Sequence, residues 1–148
     1  MGIFNFFKKK EKDIFVLQQE MYEKVFKILS KVLPDSYKQC DVFVGFTNNS
    51  ISVKYFVLNK DNVWEDCFKF YSLPELYNKV FKLIEKEVKI VRGKLMESQK
   101  WSILNLSLNN KGNIKATYDY ADSVNKSDED LEKYIFNKEQ EWNKKYFL

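Results

Sequence analysis

Trp101-Ser102-Ile103-Leu104-Asn105-Leu106-Ser107-Leu108, Asn109-Asn110-Lys111-Gly112 and Ile114-Lys115-Ala116-Thr117-Tyr118-Asp119-Tyr120 read together as strand, turn and return strand. The alternation of the return strand is clear: Ile114, Ala116, Tyr118 and Tyr120 fall on one side, Lys115, Thr117 and Asp119 on the other. Successive side chains in a strand point to opposite faces of the sheet. The Tyr118-Asp119-Tyr120 triplet therefore cannot present both rings and the carboxylate on one face. If the tyrosines pack inward, Asp119 points outward.

Upstream, the same period recurs. Val42, Val44 and Phe46 share a face with Phe43 opposite, and Ile51, Val53, Tyr55 and Val57 repeat the pattern across an Asn48-Asn49-Ser50 turn. Asn59-Lys60-Asp61-Asn62 forms a second turn into a third strand, expected from Val63-Trp64 through Phe68 and Phe70. Helical spacing brackets these strands. Ile14, Leu17, Met21, Val25, Ile28, Leu29 and Val32 make one apolar stripe, capped by Asp13 and ended by Leu33-Pro34. Ser72-Leu73-Pro74-Glu75 is a capping box with proline in the first turn. It opens a helix whose buried stripe is expected to be Leu76, Val80, Leu83, Ile84, Val88 and Val91, stopping near Gly93.

Beyond the hairpin, Ser127 to Asp130 is another helix start, and Leu131, Tyr134, Ile135, Lys138, Trp142 and Tyr146 trace a half-apolar face. The order is α-β-β-β-α-β-β-α. It predicts an α+β fold with a mostly antiparallel sheet of about five strands and helices packed on it. Residues 1–12 read as a short basic and apolar N-terminal tail, and 13–148 as a single domain.

Composition narrows the chemistry. The 148 residues include no histidine, which removes the commonest general base, the Ser–His and Cys–His pairings and the usual imidazole metal ligands. Cys40 and Cys67 lie in strand-like stretches with no C-x-x-C spacing. They read as buried free thiols in a reducing compartment, with neither a disulfide nor a zinc site expected. No P-loop or other glycine-rich phosphate loop is present. No cofactor or metal is expected.

The best enzymatic pattern is Asp35 with Glu87-Val88-Lys89, similar to the Asp…Glu-x-Lys arrangement in which carboxylates hold Mg²⁺ and lysine assists water. Its context argues against it, because Glu87 to Lys89 falls inside a predicted amphipathic helix. A Ca²⁺ site at Asp119, Asp122, Asp128, Glu129 and Asp130 lacks EF-hand spacing and the glycine that such a loop needs.

Charge is unevenly spread. Residues 1–116 carry 20 basic and 13 acidic side chains, whereas residues 117–132 set Lys126 against Asp119, Asp122, Asp128, Glu129, Asp130 and Glu132. Such a block can steer a basic partner, and it also suits a helix N-terminus in solvent. The basic side is a poor nucleic-acid signal. Of 25 basic residues only Arg92 is arginine, and the lysines alternate with acids. Direct nucleic-acid binding is not expected.

Met1-Gly2-Ile3-Phe4-Asn5-Phe6-Phe7-Lys8-Lys9-Lys10 is too short for a signal peptide or a spanning helix, and Phe6 stands where a myristoylation signal needs Ser or Thr. It reads as a tail, with a membrane-surface anchor as the alternative.

The hairpin from Trp101, with its Gly112 turn and its Tyr118-Asp119-Tyr120 ending before an acidic loop, resembles the YezG-like immunity protein family. Glu141-Trp142…Lys145-Tyr146 and the first helix, with Met21-Tyr22-Glu23-Lys24-Val25 and Leu33-Pro34, fit the same pattern. The resemblance implies a cytoplasmic antitoxin without catalytic activity. Such a protein binds a cognate secreted toxin, often through its nuclease domain, and inhibits it stoichiometrically. The expected contacts are Asp119, Asp122, Asp128, Glu129 and Asp130, with Tyr118, Tyr120 and Trp142 as anchors. The rival reading is a cytoplasmic adaptor, associated with a membrane surface through residues 1–12.

Overall fold

The structure is a computed structural model that describes residues 13–47, 50–70, 74–121 and 126–146. The N-terminal tail, the Asn48-Asn49 turn, the Ser72 cap and Asp122 lie outside the described residues. The elements are α1 (Ile14–Ser30), β1 (Gln39–Phe46), β2 (Ile51–Leu58), β3 (Trp64–Asp66), α2 (Pro74–Arg92), β4 (Ile103–Asn109), β5 (Ile114–Asp119) and α3 (Asp128–Lys144). This is the expected order. The five strands form one antiparallel sheet in the order β3-β2-β1-β4-β5.

The central strand β1 shows why the fold needs helices on both sides. Cys40, Val42, Val44 and Phe46 point to one face, and Phe43 to the other, and all are buried. On the first face, Met21, Val25 and Leu29 of α1 and Val80, Ile84, Val88 and Val91 of α2 join Val42, Val44, Tyr55, Val57, Leu104 and Leu106 in one core. Each such side chain contributes about 1.5–3 kcal/mol when fully buried. On the opposite face α3 brings Leu131, Ile135 and Trp142 onto Phe43, Phe56 and Ile103. Its close approach depends on Gly45, where an added Cβ would stand 2.6 Å from Ile135 Cγ2.

Several local expectations are corrected. α1 ends at Ser30 rather than Leu33, where Val32 N bonds Leu29 O three residues back and tightens the last turn. The third strand stops at Asp66. The Asp66 carboxylate accepts from Phe68 N at 3.0 Å, starting the 3₁₀ turn Cys67–Phe70. Cys67 is therefore not on a strand, although both cysteines are buried and free. Leu83 is 43 % exposed, on the flank of the α2 stripe rather than within it. The β2–β3 and β4–β5 turns both use asparagine. Asn59 Oδ1 accepts from Asp61 N and Val63 N, and Asn109 Oδ1 from Lys111 N and Asn113 N. Gly112 supplies the positive φ of 85° that the second turn requires.

The single arginine has a packing reason. Arg92 donates from Nε to the Trp101 carbonyl at 2.8 Å, and its guanidinium lies 4.6 Å from the centroid of the Phe46 ring. A planar, delocalised guanidinium can stack on a ring while its fixed fork of N–H groups donates in the plane, a geometry that the point charge of a lysine ammonium does not offer. Trp101 itself is fully buried against Phe46 and Tyr118.

Candidate functional site

The hairpin and α3 together build the candidate site. Alternation along β5 holds as read. Tyr118 turns to the α1–α2 side, where its hydroxyl hydrogen-bonds that of Tyr22, and Asp119 turns to the α3 side. Burial, and secondarily Tyr120, pushes the Tyr22 hydroxyl up to about 12. The ladder stops at Asp119 and Ala121 adopts φ 55°, so Tyr120 leaves the sheet and is 49 % exposed.

Asp119 does not project freely. Its Oδ1 accepts from Ala121 N at 2.8 Å and its Oδ2 from the Tyr134 hydroxyl at 2.7 Å. The carboxylate thus ties the end of β5 to α3. That hydrogen bond is the main cause that holds the Tyr134 hydroxyl up near 12. Two ammonium groups also lie over the Tyr134 ring, Lys126 at 5.4 Å and Lys138 at 5.6 Å from its centroid.

Trp142 is only 6 % exposed. It packs on Phe43 and Phe56 with ring centroids 5.4 and 5.3 Å away, and Tyr146 meets it edge-on. It is a core residue of the α3 face rather than a projecting anchor. Tyr146 in turn stacks on Phe56 at 4.4 Å and donates to Asp41 Oδ2 at 2.8 Å. Burial first, and that hydrogen bond second, hold its pKa well above the tyrosine range. Gln39 Nε2 and Ser107 Oγ complete the shell of Asp41 by donating to Oδ1.

A groove of about 290 Å³ opens between α3 and the β4–β5 hairpin. The sheet contributes Asn105, Thr117 and Asp119, α3 contributes Lys138 and Glu141, and its C-cap adds Lys145, above a floor of Phe43, Ile103 and Trp142. Asn105 Oδ1 is buried without a hydrogen-bond partner among the described residues. The volume lies at the lower limit of small-molecule pockets, which run to roughly 1,000 Å³. Its mixed donors and acceptors suit a polar group of a partner. Sequence reading reached Asp119, Tyr118 and Trp142 here but missed Asn105, Lys138 as a wall residue, Glu141 and Lys145. The available signal was a polar residue breaking the apolar run of β4 at Asn105.

The remaining acidic residues form a second region. Ser127 caps α3 by accepting from Asp130 N at 3.2 Å, and Asp128, Glu129 and Asp130 occupy the first turn, all exposed. Carboxylates there are favoured by the helix dipole, by about 0.3–1 kcal/mol each. Glu129 pairs with Lys133 at 3.3 Å across a largely exposed surface. The structure thus separates the predicted set. Asp119 and Trp142 line the groove, Tyr118 borders it only along β5 because its ring turns to the α1–α2 side, and Asp128, Glu129 and Asp130 face solvent on the first turn of α3.

The nuclease-like pattern lies elsewhere. Glu87 pairs with Lys24 at 3.5 Å, bridging α2 to α1, and Lys89 pairs with Glu85 at 2.7 Å. Among the described residues no group of three or more Cys, Asp or Glu is placed to hold a metal ion. None of the described helices is long and apolar enough to cross a membrane.

Fold and surface together define an α+β protein with helices on both faces of a five-stranded antiparallel sheet. No protein-family model matches the chain, and no curated protein matches it.

Proposed function

We propose that this chain is an immunity protein, which binds a cognate secreted toxin, of nuclease type, and inhibits it stoichiometrically. The observation that carries the reading is the exposed first turn of α3, Asp128, Glu129 and Asp130, in a chain whose first 116 residues are net basic. A toxin that grips nucleic acid needs a basic cleft, and a concentrated acidic surface is its electrostatic complement. The resemblance of the Trp101–Tyr120 hairpin to the YezG-like family supports the same reading.

Co-expression with the toxin encoded beside this chain tests it. Rescue of growth together with a one-to-one complex on purification is the expected result. Rescue without a complex would move the reading to an indirect route, and neither rescue nor binding would end it.

One observation favours a second reading, an adaptor at a membrane surface. Phe15 and Val16 are exposed in the first turn of α1, immediately after the apolar and lysine-rich residues 1–12. Binding to anionic vesicles that vanishes on deletion of residues 1–12 is its expected signature.

A further inference from the structure

Phe136 is 59 % exposed near the middle of α3, a helix whose apolar face is otherwise turned onto the sheet. It stands off the stripe of Leu131, Ile135 and Trp142, so the core does not require it there. Helical spacing surrounds it with charge: Glu132 lies one turn before it, Glu129 two turns before, and Glu139 just under a turn beyond. Lys133, on the same side, is matched by Glu129 at 3.3 Å, and Glu139 accepts from Ser52 Oγ at 3.1 Å. Glu132 is exposed, and the acids of the first turn extend the negative surface from the helix start. An exposed aromatic ring ringed by charged groups has the organisation of a binding hot spot, with an apolar anchor at the centre and a polar rim.

We infer that Phe136 is the apolar anchor of the toxin-binding face. It would enter an apolar pocket of the partner that is bordered by lysine or arginine side chains. This inference rests on the proposed immunity function and extends it to a residue and a partner chemistry. Charge decides between occupants. A second copy of this chain would bring two acidic helix faces together, and an anionic lipid surface would repel the same carboxylates. A basic protein surface gains from both the ring and its rim.

The experiment measures the affinity of the full chain, and of its F136A and E132K variants, for the toxin encoded beside it. Sedimentation of the free chain runs in parallel. Because Phe136 is exposed, F136A is expected to keep the wild-type melting midpoint, and F136L provides a conservative control. The expected result is at least a tenfold loss of affinity for F136A, carried mainly by faster dissociation, with F136L intermediate. E132K is expected to slow association and flatten its salt dependence. Wild-type affinity in F136A would overturn this inference and leave the immunity function standing. Concentration-dependent dimers lost in F136A would assign the face to a second copy instead. Absence of any complex with the wild-type chain would overturn both.

Discussion

The Tyr134 hydroxyl donates to Asp119 Oδ2 at 2.7 Å, joining the last residue of β5 to the second turn of α3. Asp119, read from the sequence as an outward contact, is thereby a structural tie as well as a wall of the groove.

Removing the donor should cost stability. Y134F leaves Oδ2 with a lost partner in a partly buried setting, worth about 1–2 kcal/mol, and D119A should cost more because Ala121 N loses its acceptor too. Urea unfolding of the three proteins checks this. A Y134F midpoint equal to wild type would remove the tie from the energetics of the fold.

The same hydroxyl predicts alkaline sensitivity. Tyr134 and Tyr22 titrate near 12 in the folded chain, against about 10 for an unfolded tyrosine. Between those values the folded state holds more protons, so stability falls as pH rises. The contribution is complete below pH 10 and is lost by about pH 12. Y134F and Y22F should each shallow that decline in urea midpoint. An unchanged slope in both variants would contradict the assignment.

Gly45 and Ile135 should be coupled. G45A drives a Cβ into Ile135 Cγ2 and is expected to cost about 1–3 kcal/mol, as overpacking does. I135A alone should cost about 2–5 kcal/mol through the cavity it leaves. In the double variant the clash disappears, so the combined loss should be smaller than the sum of the two. Strict additivity would mean that α3 does not press on β1 at this point.

Arg92 should not tolerate lysine. R92K loses the donation to the Trp101 carbonyl and the stacking on Phe46, with an expected cost of about 1–2 kcal/mol. Thermal melts of R92K and R92A should show losses of similar size. Full retention of stability in R92K would reduce Arg92 to a generic surface cation.

Under the proposed immunity function, the acidic turn should separate stability from binding. S127A should cost about 1 kcal/mol of stability through the lost cap while leaving toxin affinity unchanged. Reversal of Asp128, Glu129 and Asp130 to lysine should lower affinity and its salt dependence sharply. Unchanged binding after reversal would take this turn out of the interface.

Much of this fold was legible along the chain because the deciding signals are local. The two-residue period of Ile114 to Asp119 marked a strand whose Tyr118 and Asp119 had to part, and they do. Asp13 and Ser127 announced helix starts through side chains that cap the nearest amides. Where the expectation failed, a competing local bond decided: Asp66 captured Phe68 N and ended β3 early.

The candidate site was less legible. Trp142 has the composition of an interface anchor, yet α3 lies across β1 and buries it on Phe43 and Phe56. Phe136, off the apolar stripe, carried no periodic signal and emerged only once the buried side of α3 was known. Asn105 sat in a run of strand residues, and its place in a groove depends on Lys138 and Glu141, which are distant in sequence.

The sequence by itself thus determined the element types, their order and the side of the hairpin on which each residue falls, since backbone periodicity and capping act over a few residues. Tertiary structure alone decided which sheet face each helix covers, that Asp119 bonds Tyr134, and which aromatic of α3 meets solvent. Those outcomes depend on how closely α3 can approach Gly45 and on the pairing of β1 with β4, and both join residues far apart in the chain.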